Sequence, residues 1–164
     1  MYNRELVPAA FKVPSGLDCG SYRLRMLSMD DVDKDYEAVM ASRDRIRGLL
    51  DPGSAWPDGL TKREDMVDLA WHEREFTIRH SFAYTAMTSD ESQCLGCVYI
   101  FPSKMPGYDA AAFYWVRAGD NAEQRDAKLG ARFRAWLASE WPFKSVAFPG
   151  RDIPWTEWKT LKPS

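Results

Sequence analysis

The chain has 164 residues, of which 45% are hydrophobic and 13% aromatic, so it is long and apolar enough to form one globular domain and is not a disordered chain. Its 22 basic and 24 acidic residues give a net charge of −2 at pH 7, without the basic excess that is typical of a nucleic-acid-binding protein. No apolar run approaches the roughly 20 residues that span a bilayer, and the N-terminus shows no apolar signal core. We therefore expect a cytoplasmic protein that binds neither nucleic acid nor a membrane.

The first elements are a tail, a strand and a helix. Residues 1–20 contain prolines and glycines between scattered apolar side chains, and we expect them to form a tail that packs on a single domain of residues 21–164. The segment Tyr22 to Leu27 predicts a short first strand. Apolar residues at helical spacing then predict a helix from about Asp30 to Arg45.

A second helix follows a loop that contains proline and glycine. Thr61 and Glu64 have the spacing of a capping box, in which each side chain bonds the backbone of the other, and they predict the helix start. The helix is expected to end near Arg79. Its apolar residues predict the side that faces the core: Val67, Ala70, Trp71 and Ile78.

The remainder of the chain predicts a sheet. Phe82 to Met87 and Leu95 to Phe101 are two strands joined by a polar, turn-like link. Ala110 to Val116 is apolar on both alternating faces, as expected for a strand that is covered on both sides. An amphipathic helix from Ala131 to Trp141 and a last strand from Ser145 to Phe148 follow. This order of elements predicts an α/β (α+β) fold.

The segment before the last helix carries a recognisable motif. It reads Arg125-Asp126-Ala127-Lys128-Leu129-Gly130 and resembles the acetyl-CoA-binding motif Q/R-x-x-G-x-G/A of the GNAT superfamily of N-acyltransferases, with Lys128 in place of the first glycine. The order of elements from Tyr22 to Phe148 is similar to that superfamily as well. The resemblance implies a GNAT-like mixed, largely antiparallel central sheet flanked by helices. It also implies that acetyl-CoA is a co-substrate, that no metal takes part, and that the acetyl group is transferred to a primary amine.

The resemblance further implies where acetyl-CoA binds. A splay between the central strand and the parallel strand after the helix would admit the pantetheine arm, which would meet Val116 and Arg117. The pyrophosphate would lie on loop amides at the helix N-terminus, surrounded by Arg125, Lys128, Leu129 and Gly130. An alternative stays open, in which Asp120 and Glu123 cap the helix early and residues 125–130 are ordinary helical surface.

The C-terminal region departs from the superfamily pattern. The residues after Phe148 are too few for the further helix and closing strands of that fold, and no tyrosine follows Tyr114 to protonate a leaving thiolate. The N-terminal tail and the segment from Pro149 to Trp155 would then have to complete the body in another way. The alternative function is a non-catalytic acyl-CoA-binding or protein-interaction module with a GNAT fold.

Few side chains are placed for acid–base chemistry or for acceptor binding. Glu91 in the hairpin and Asp109 before the central strand are catalytic candidates that could act through a water, although solvated turn residues have the same pattern. By the resemblance, Trp56, His72 and Glu75 would flank the acceptor site, and an exposed helix face is the alternative for the last two. The acceptor would be a small-molecule amine or a protein amine, and the protein could form a homodimer.

Cys94 and Cys97 form a C-x-x-C pair, a spacing that occurs in zinc and redox sites. In a strand, residues three positions apart point to opposite faces, and the sequence contains no second C-x-x-C. We therefore expect buried, reduced thiols and no metal site.

Overall fold

The computed structural model describes residues 4–161, which fold around a six-stranded sheet whose strands lie side by side in chain order. The strands are β1 Gly16–Asp18, β2 Tyr22–Met26, β3 Phe82–Thr88, β4 Cys94–Pro102, β5 Ala110–Val116 and β6 Val146–Ala147. Neighbouring strands pair antiparallel except β5 and β6, which pair parallel. The predicted mixed, largely antiparallel sheet flanked by helices is confirmed.

Within the described residues the helices are α1 Val32–Ala41, α2 Arg43–Ile46, α3 Lys62–Thr77, α4 Ala122–Glu140 and α5 Trp155–Trp158. A 3-10 turn over Met29–Asp31 precedes α1. The helix predicted from Asp30 to Arg45 is interrupted at Ser42, a buried residue whose hydroxyl accepts a hydrogen bond of 2.8 Å from the N–H of Ala118. Across residues 4–161 no helix is both long and apolar enough to cross a membrane.

One face of the sheet packs against α4. The buried stripe of this helix is the predicted one: Leu129, Phe133, Trp136 and Leu137. Aromatic rings meet edge to face in this layer, and the Trp136 ring centroid lies 5.1 Å from that of Tyr84 and 5.4 Å from that of Trp141. The N-terminal residues cover the same layer, in which Val7 is buried.

The opposite face of the sheet packs against α1 and α3. This second layer contains Val39 and Leu69 from the helices and Trp115 from β5. Strand β5 therefore contributes to both layers, because Tyr114 lies in the layer beneath α4 and its neighbour Trp115 lies in the layer beneath α1 and α3. The prediction that β5 is covered on both faces is confirmed.

Helix α3 faces the core with a different side from the predicted one. The capping box forms as expected, but Val67 is 58% exposed and Trp71 is 47% exposed. Asp65 and Leu69 are buried instead, and Phe76 packs on the sheet. The prediction of the inward side is wrong because the apolar residues of α3 lie on two sides of the helix. The side that packs on the sheet brings a carboxyl group into the core with it.

Cys94 and Cys97 lie in the same layer, not on opposite faces as predicted. The pairing of β3 with β4 shifts register between Ala86 and Met87, which leaves Leu95 as an extra residue in β4. Such a bulge turns Cys94 to the side of Cys97, beneath α1 and α3. Both thiols are free and buried, and burial raises the pKa of Cys94 to about 12.

Candidate functional site

Strands β5 and β6 part soon after they meet. They pair at Ala110 and Ala111 of β5 and at the two residues of β6. Within the described chain no strand lies beside this edge of β5 from Ala112 to Val116. The opening lies where the resemblance places the splay that admits a pantetheine arm.

Arg151 fills this opening. Its guanidinium donates a hydrogen bond of 2.9 Å to the carbonyl oxygen of Tyr114 and lies 3.5 Å from the centre of the Tyr114 ring. The same guanidinium forms a two-pronged ion pair with Asp126 of α4, at 2.7 and 3.0 Å. A main-chain acceptor on the open edge of β5 is therefore occupied by a side chain of the C-terminal segment.

Helix α4 starts well before the predicted Ala131. Its first residue is Ala122, and Asn121, with a φ of 57°, is the N-cap residue. Residues 125–130 are therefore helical, and the interpretation of this segment as a phosphate loop is wrong. The early helix start is confirmed, although Asn121 and not Asp120 takes the N-cap position.

The short connection between β5 and α4 is held by bonds to neighbouring elements. The N–H of Arg117 donates to the carbonyl oxygen of Leu95, and the N–H of Ala118 donates to the hydroxyl of Ser42, both at 2.8 Å. The guanidinium of Arg117 is bound by both carboxylate oxygens of Glu37, each at 2.5 Å. Because these bonds fix the chain close to the end of β5, the helix can begin within a few residues.

Four of the predicted cofactor-binding residues meet at a small cavity near the end of β5. Its volume is about 170 Å³, and it is lined by Val116 of β5 and by Arg125, Lys128 and Leu129 of α4. Residues of β2, β3 and β4 line its other side, so it lies on the side of β5 away from β6. Arg117 is directed to its ion pair with Glu37. Gly130 lets α4 approach β5 closely, because a Cβ atom at this position would lie 2.7 Å from Cζ of Tyr114.

The two predicted acid–base candidates hold the fold together. Glu91 accepts hydrogen bonds from the guanidinium groups of Arg23 and Arg25, which tie the β3–β4 hairpin to β2. The carboxylate of Asp109 accepts from two backbone N–H groups just before β6, at 2.6 and 3.1 Å. Neither carboxylate lines the small cavity at α4 or the larger one on the opposite face.

This larger cavity lies between α1, α3, the loop before α3, and β4. Its volume is about 330 Å³. Ring-bearing and acidic side chains line it together: Trp56, Trp71, His72, Tyr99 and Phe101 with Asp35, Asp51, Asp65 and Asp68. We refer to this space as the acidic cavity.

Two of the three predicted substrate-binding residues lie at the acidic cavity. Trp56 reaches it from the loop and His72 from α3. Glu75 does not line it, because its carboxylate is buried near the end of α3, where it accepts a bond of 2.5 Å from Arg74 and lies 3.4 Å from Nδ1 of His80.

Hydrogen bonds behind the walls hold the acidic cavity in shape. The hydroxyl of Tyr99 accepts a bond of 2.9 Å from Nε1 of Trp115. The hydroxyl of Tyr36 donates at 3.0 Å to the carbonyl oxygen of Leu60, which fastens the loop to α1. The aromatic floor and one side of the cavity are therefore positioned before any ligand enters.

Two carboxyl groups of the acidic cavity are almost fully buried. Asp35 is 4% exposed and Asp65 is 3% exposed, and their side chains hydrogen-bond to each other. Burial raises the pKa of Asp65 to about 6, whereas burial and the neighbouring Asp65 raise the pKa of Asp35 well above its usual range. The pair therefore keeps a proton to a higher pH than two separate aspartates would.

The imidazole of His72 is neutral under the same conditions. Burial lowers its pKa to about 4. Its ring lies against the ring of Tyr99, with centroids 5.3 Å apart. His72 thus behaves as one more ring in the wall of the acidic cavity.

Sequence reasoning missed Asp35 and Asp65. Asp35 lies between Val32 and Val39 on the apolar stripe of α1, and Asp65 lies one turn before Leu69 on α3. A carboxylate in register with the apolar residues of a helix was the available signal, because such a group is buried only when something pairs with it.

No protein-family model matches the sequence, and a search of curated proteins finds no significant match. Solved structures do match. The ribosomal-protein-S5-alanine acetyltransferase from Vibrio fischeri aligns with a TM-score of 0.57 at 12% identity, covering 77% of this chain and 69% of that one. RimL, a ribosomal L7/L12 alpha-N-protein acetyltransferase, aligns with a TM-score of 0.57 at 14% identity, covering 81% and 70%. The microcin C7 self-immunity acetyltransferase MccE aligns with a TM-score of 0.55 at 12% identity, covering 77% and 69%.

These likenesses show that the chain has the fold of the GNAT acetyltransferases, as the resemblance of the sequence predicted. The identities are too low to carry a substrate from one protein to another. Function must therefore be argued from the opening beside β5 and from the acidic cavity.

Proposed function

We propose that this protein transfers an acetyl group from acetyl-CoA to a primary amine. The observation that carries the proposal is the opening beside β5, in a sheet that matches acetyltransferase structures, among them RimL with coenzyme A and MccE with acetyl-CoA and AMP. The free edge of a central strand presents main-chain groups that can bind an amide-containing arm.

The donor would lie along β5 and the start of α4. The main chain at Val116 and Arg117 would meet the arm, and Leu129 would form an apolar wall. Arg125 and Lys128 would pair with the phosphates, since both line the small cavity at this end of the helix. Charged side chains can bind phosphate oxygens without a loop of bare amides. The two basic side chains would therefore take the place of the phosphate loop that the structure does not form.

The acceptor amine would lie in the acidic cavity, where Asp65 would take its proton. A carboxylate with a pKa of about 6 is ionised at neutral pH and close enough to that pH to exchange a proton. The nitrogen of the neutral amine would then bond to the acetyl carbon as the carbon–sulfur bond breaks. The departing CoA thiolate would take up the second proton that the nitrogen loses.

Isothermal titration calorimetry with acetyl-CoA, and separately with free CoA, tests the donor half of the proposal. We expect micromolar binding of both, and the absence of binding at millimolar concentration would contradict it. Lys128→Glu should weaken binding at least tenfold because it reverses a charge beside the phosphates. Lys12→Glu makes the same charge change at an exposed position in the N-terminal residues and should leave the affinity unchanged.

A second candidate function is a non-catalytic module that binds an acyl-CoA or a protein partner. Arg151 favours a module that binds a protein partner, because its side chain occupies the carbonyl oxygen of Tyr114 on the open edge, where the acyl-CoA arm would bind. Arg151→Ala distinguishes this module from the transferase. Tighter binding of acetyl-CoA to the variant would show that Arg151 blocks the opening and would favour the protein-binding module. Equal or weaker binding would favour the transferase.

The acceptor class is tested once donor binding is measured. Two structures of this fold are named as acetyltransferases of ribosomal proteins, so peptide α-amines belong in the screen beside small-molecule amines. Release of the CoA thiol that depends on one class of amine would support transfer to that class. Thiol release at the same rate without any amine would contradict the proposal.

A further inference from the structure

One carboxylate oxygen in the acidic cavity has no partner. Asp65 is 3% exposed, yet its Oδ2 atom makes no hydrogen bond with any described residue. Its side chain interacts with that of Asp35, and both residues line the cavity. A buried carboxyl pair without a basic partner is unfavourable, so a positive charge in the cavity beside the pair would be stabilising.

The groups that surround this oxygen are acidic or neutral. Asp35 of α1 is the nearest acidic group, and Asp31 lies behind Asp35. The other titratable groups around the cavity are Asp68 and His72 of α3, Asp51 of the loop and Tyr99 of β4. Within residues 4–161 no lysine or arginine forms an ion pair with the buried Asp35 and Asp65 or with the exposed Asp68. The cavity therefore has a negative charge that the protein itself does not balance.

Aromatic rings form the remaining walls. The rings of Tyr99 and Phe101 stack with centroids 5.9 Å apart, and Trp71 lies 5.1 Å from His72. Trp71 is 47% exposed, which is unusual for so large an apolar side chain. Faces of aromatic rings attract cations, and indole attracts them most strongly.

The arrangement does not suit a metal ion. Among the described residues no three histidine, cysteine or acidic side chains are grouped to hold one. A carboxylate at one end of an aromatic-walled cavity is complementary to a molecule with a positive charge at one end and an apolar body behind it.

We propose that the acidic cavity binds an organic ammonium ion with an apolar body about the size of one ring. The ammonium group lies beside the carboxyl pair of Asp65 and Asp35, and the body lies between Trp56, Trp71 and Phe101. The volume of about 330 Å³ is at the lower end of the range for ligand cavities, which suits a body of this size. This inference rests on the proposed function only in naming such an ammonium ion as the acceptor; the binding itself is independent of it.

The probe is 2-phenylethylammonium, titrated into the full chain by calorimetry without acetyl-CoA. Its matched neutral analogue is 2-phenylethanol, which has the same ring and no charge. We expect saturable binding of the ammonium ion at submillimolar to millimolar concentration and at least tenfold weaker binding of the alcohol. No saturable binding of the ammonium ion, or equal binding of the two compounds, would overturn the proposal.

Variants identify the charge that is responsible. Asp65→Asn keeps the shape of the side chain and should weaken binding of 2-phenylethylammonium at least tenfold. Asp33→Asn removes the same charge from an exposed position on α1 and should leave binding unchanged. An equal loss in both variants would mean that the probe responds to net charge and would overturn the assignment to Asp65. Trp71→Ala should weaken binding of the ammonium ion more than binding of the alcohol, because the indole face attracts the cation.

The pH dependence gives a second readout. Binding of the ammonium ion requires an ionised Asp65, whose pKa is about 6, so the affinity should rise from about pH 5 to about pH 7 and then level off. The bound cation favours the ionised form and should shift this rise to lower pH. The same affinity at both ends of the range would contradict binding at Asp65.

The two proposals can fail separately. Binding of the ammonium ion without binding of acetyl-CoA would uphold this inference and overturn the transferase. Binding of acetyl-CoA without binding of the ammonium ion would overturn this inference and leave the transferase proposal standing.

Discussion

The two faces of the sheet bury different kinds of side chains. Beneath α4 the layer is packed around Trp136, which is 0% exposed among the rings of Tyr84, Phe133 and Trp141, and a small cavity of about 170 Å³ lies near the start of the helix. Beneath α1 and α3 the layer contains a cavity of about 330 Å³, in which two carboxyl groups are buried and Trp71 stays half exposed. Helix α4 and the N-terminal residues cover the first layer, whereas two helices and a loop leave a larger gap over the second.

The comparison separates stability from function within one small fold. The aromatic layer around Trp136 maximises apolar burial, and the unpaired side-chain group among its described residues is the indole N–H of Trp141 and not a charge. A layer that holds a buried carboxyl pair without a basic partner is less stable than a fully apolar layer would be, which is the kind of cost that a binding site can carry. We therefore expect substitutions beneath α4 to change the free energy of unfolding, and substitutions beneath α1 and α3 to change binding and its pH dependence.

The largest expected difference is between two tryptophans. Trp136→Ala should lower the free energy of unfolding by about 3–5 kcal/mol, because it removes a fully buried ring from the layer beneath α4. Trp71→Ala should lower it by less than about 1 kcal/mol, because that side chain is 47% exposed. Urea denaturation of the two variants measures both values. Similar losses would mean that the two layers are equally important for stability.

Gly130→Ala tests how closely α4 packs on β5. Alanine normally stabilises a helix interior relative to glycine, yet here its Cβ would overlap the side chain of Tyr114. We expect a loss of about 1–3 kcal/mol in the free energy of unfolding. In a double-mutant cycle, Tyr114→Phe removes the overlapping hydroxyl and should recover part of the loss. A Gly130→Ala variant more stable than the natural protein would contradict the close packing.

Asp65→Asn should stabilise the protein that has no ligand, and the effect should depend on pH. The pKa of Asp65 is raised in the fold to about 6, so the stability that this group contributes is fully present below its unfolded pKa and is lost as the pH rises through about 6. The asparagine variant does not undergo that loss, so it should be more stable than the natural protein by about 1–2 kcal/mol at neutral pH. This difference is smaller than the pKa shift alone would give, because solvent reaches the cavity and screens the charge. Thermal unfolding at about pH 4 and pH 7 measures the difference. A gain in stability of the same size at pH 4 and at pH 7 would show that the ionisation of Asp65 is not its cause.

His72 should give a smaller effect of opposite sign. Its pKa is lowered in the fold to about 4, so its contribution is present above the unfolded pKa of about 6.5 and is lost as the pH falls through about 4. His72→Asn should therefore lose about 1 kcal/mol less stability than the natural protein on acidification from neutral pH. Parallel stability curves for the two proteins would show that His72 is solvated and that the wall it forms is open.

Much of the fold could be predicted from the sequence because its signals are local. The start of α3 follows from a capping box four residues long, and β5 from an apolar run between Ala110 and Val116, and both are confirmed. The joint at α4 could not be predicted in the same way. Residues 125–130 suit a loop or a helix, and the bonds of residues 117 and 118 to β4 and to Ser42 favour the helix.

The candidate site depended even more on contacts between distant parts of the chain. Trp56 and His72 were chosen by resemblance and do lie at one cavity, but the carboxyl pair on its wall comes from α1 and α3, which are 30 residues apart at Asp35 and Asp65. The apolar residues of α3 lie on two sides of the helix, and its sequence does not determine which side packs on the sheet.

By itself, the sequence determined the order and type of the main strands and helices, because periodicity and capping act over a few neighbouring residues. Only the tertiary structure decided that α3 turns Asp65 inward, that a bulge at Leu95 brings Cys94 and Cys97 to one face, and that Arg151 reaches the open edge of β5. Each of these depends on which surfaces pack together. Packing is a property of the whole chain, so no single segment of the sequence contains it.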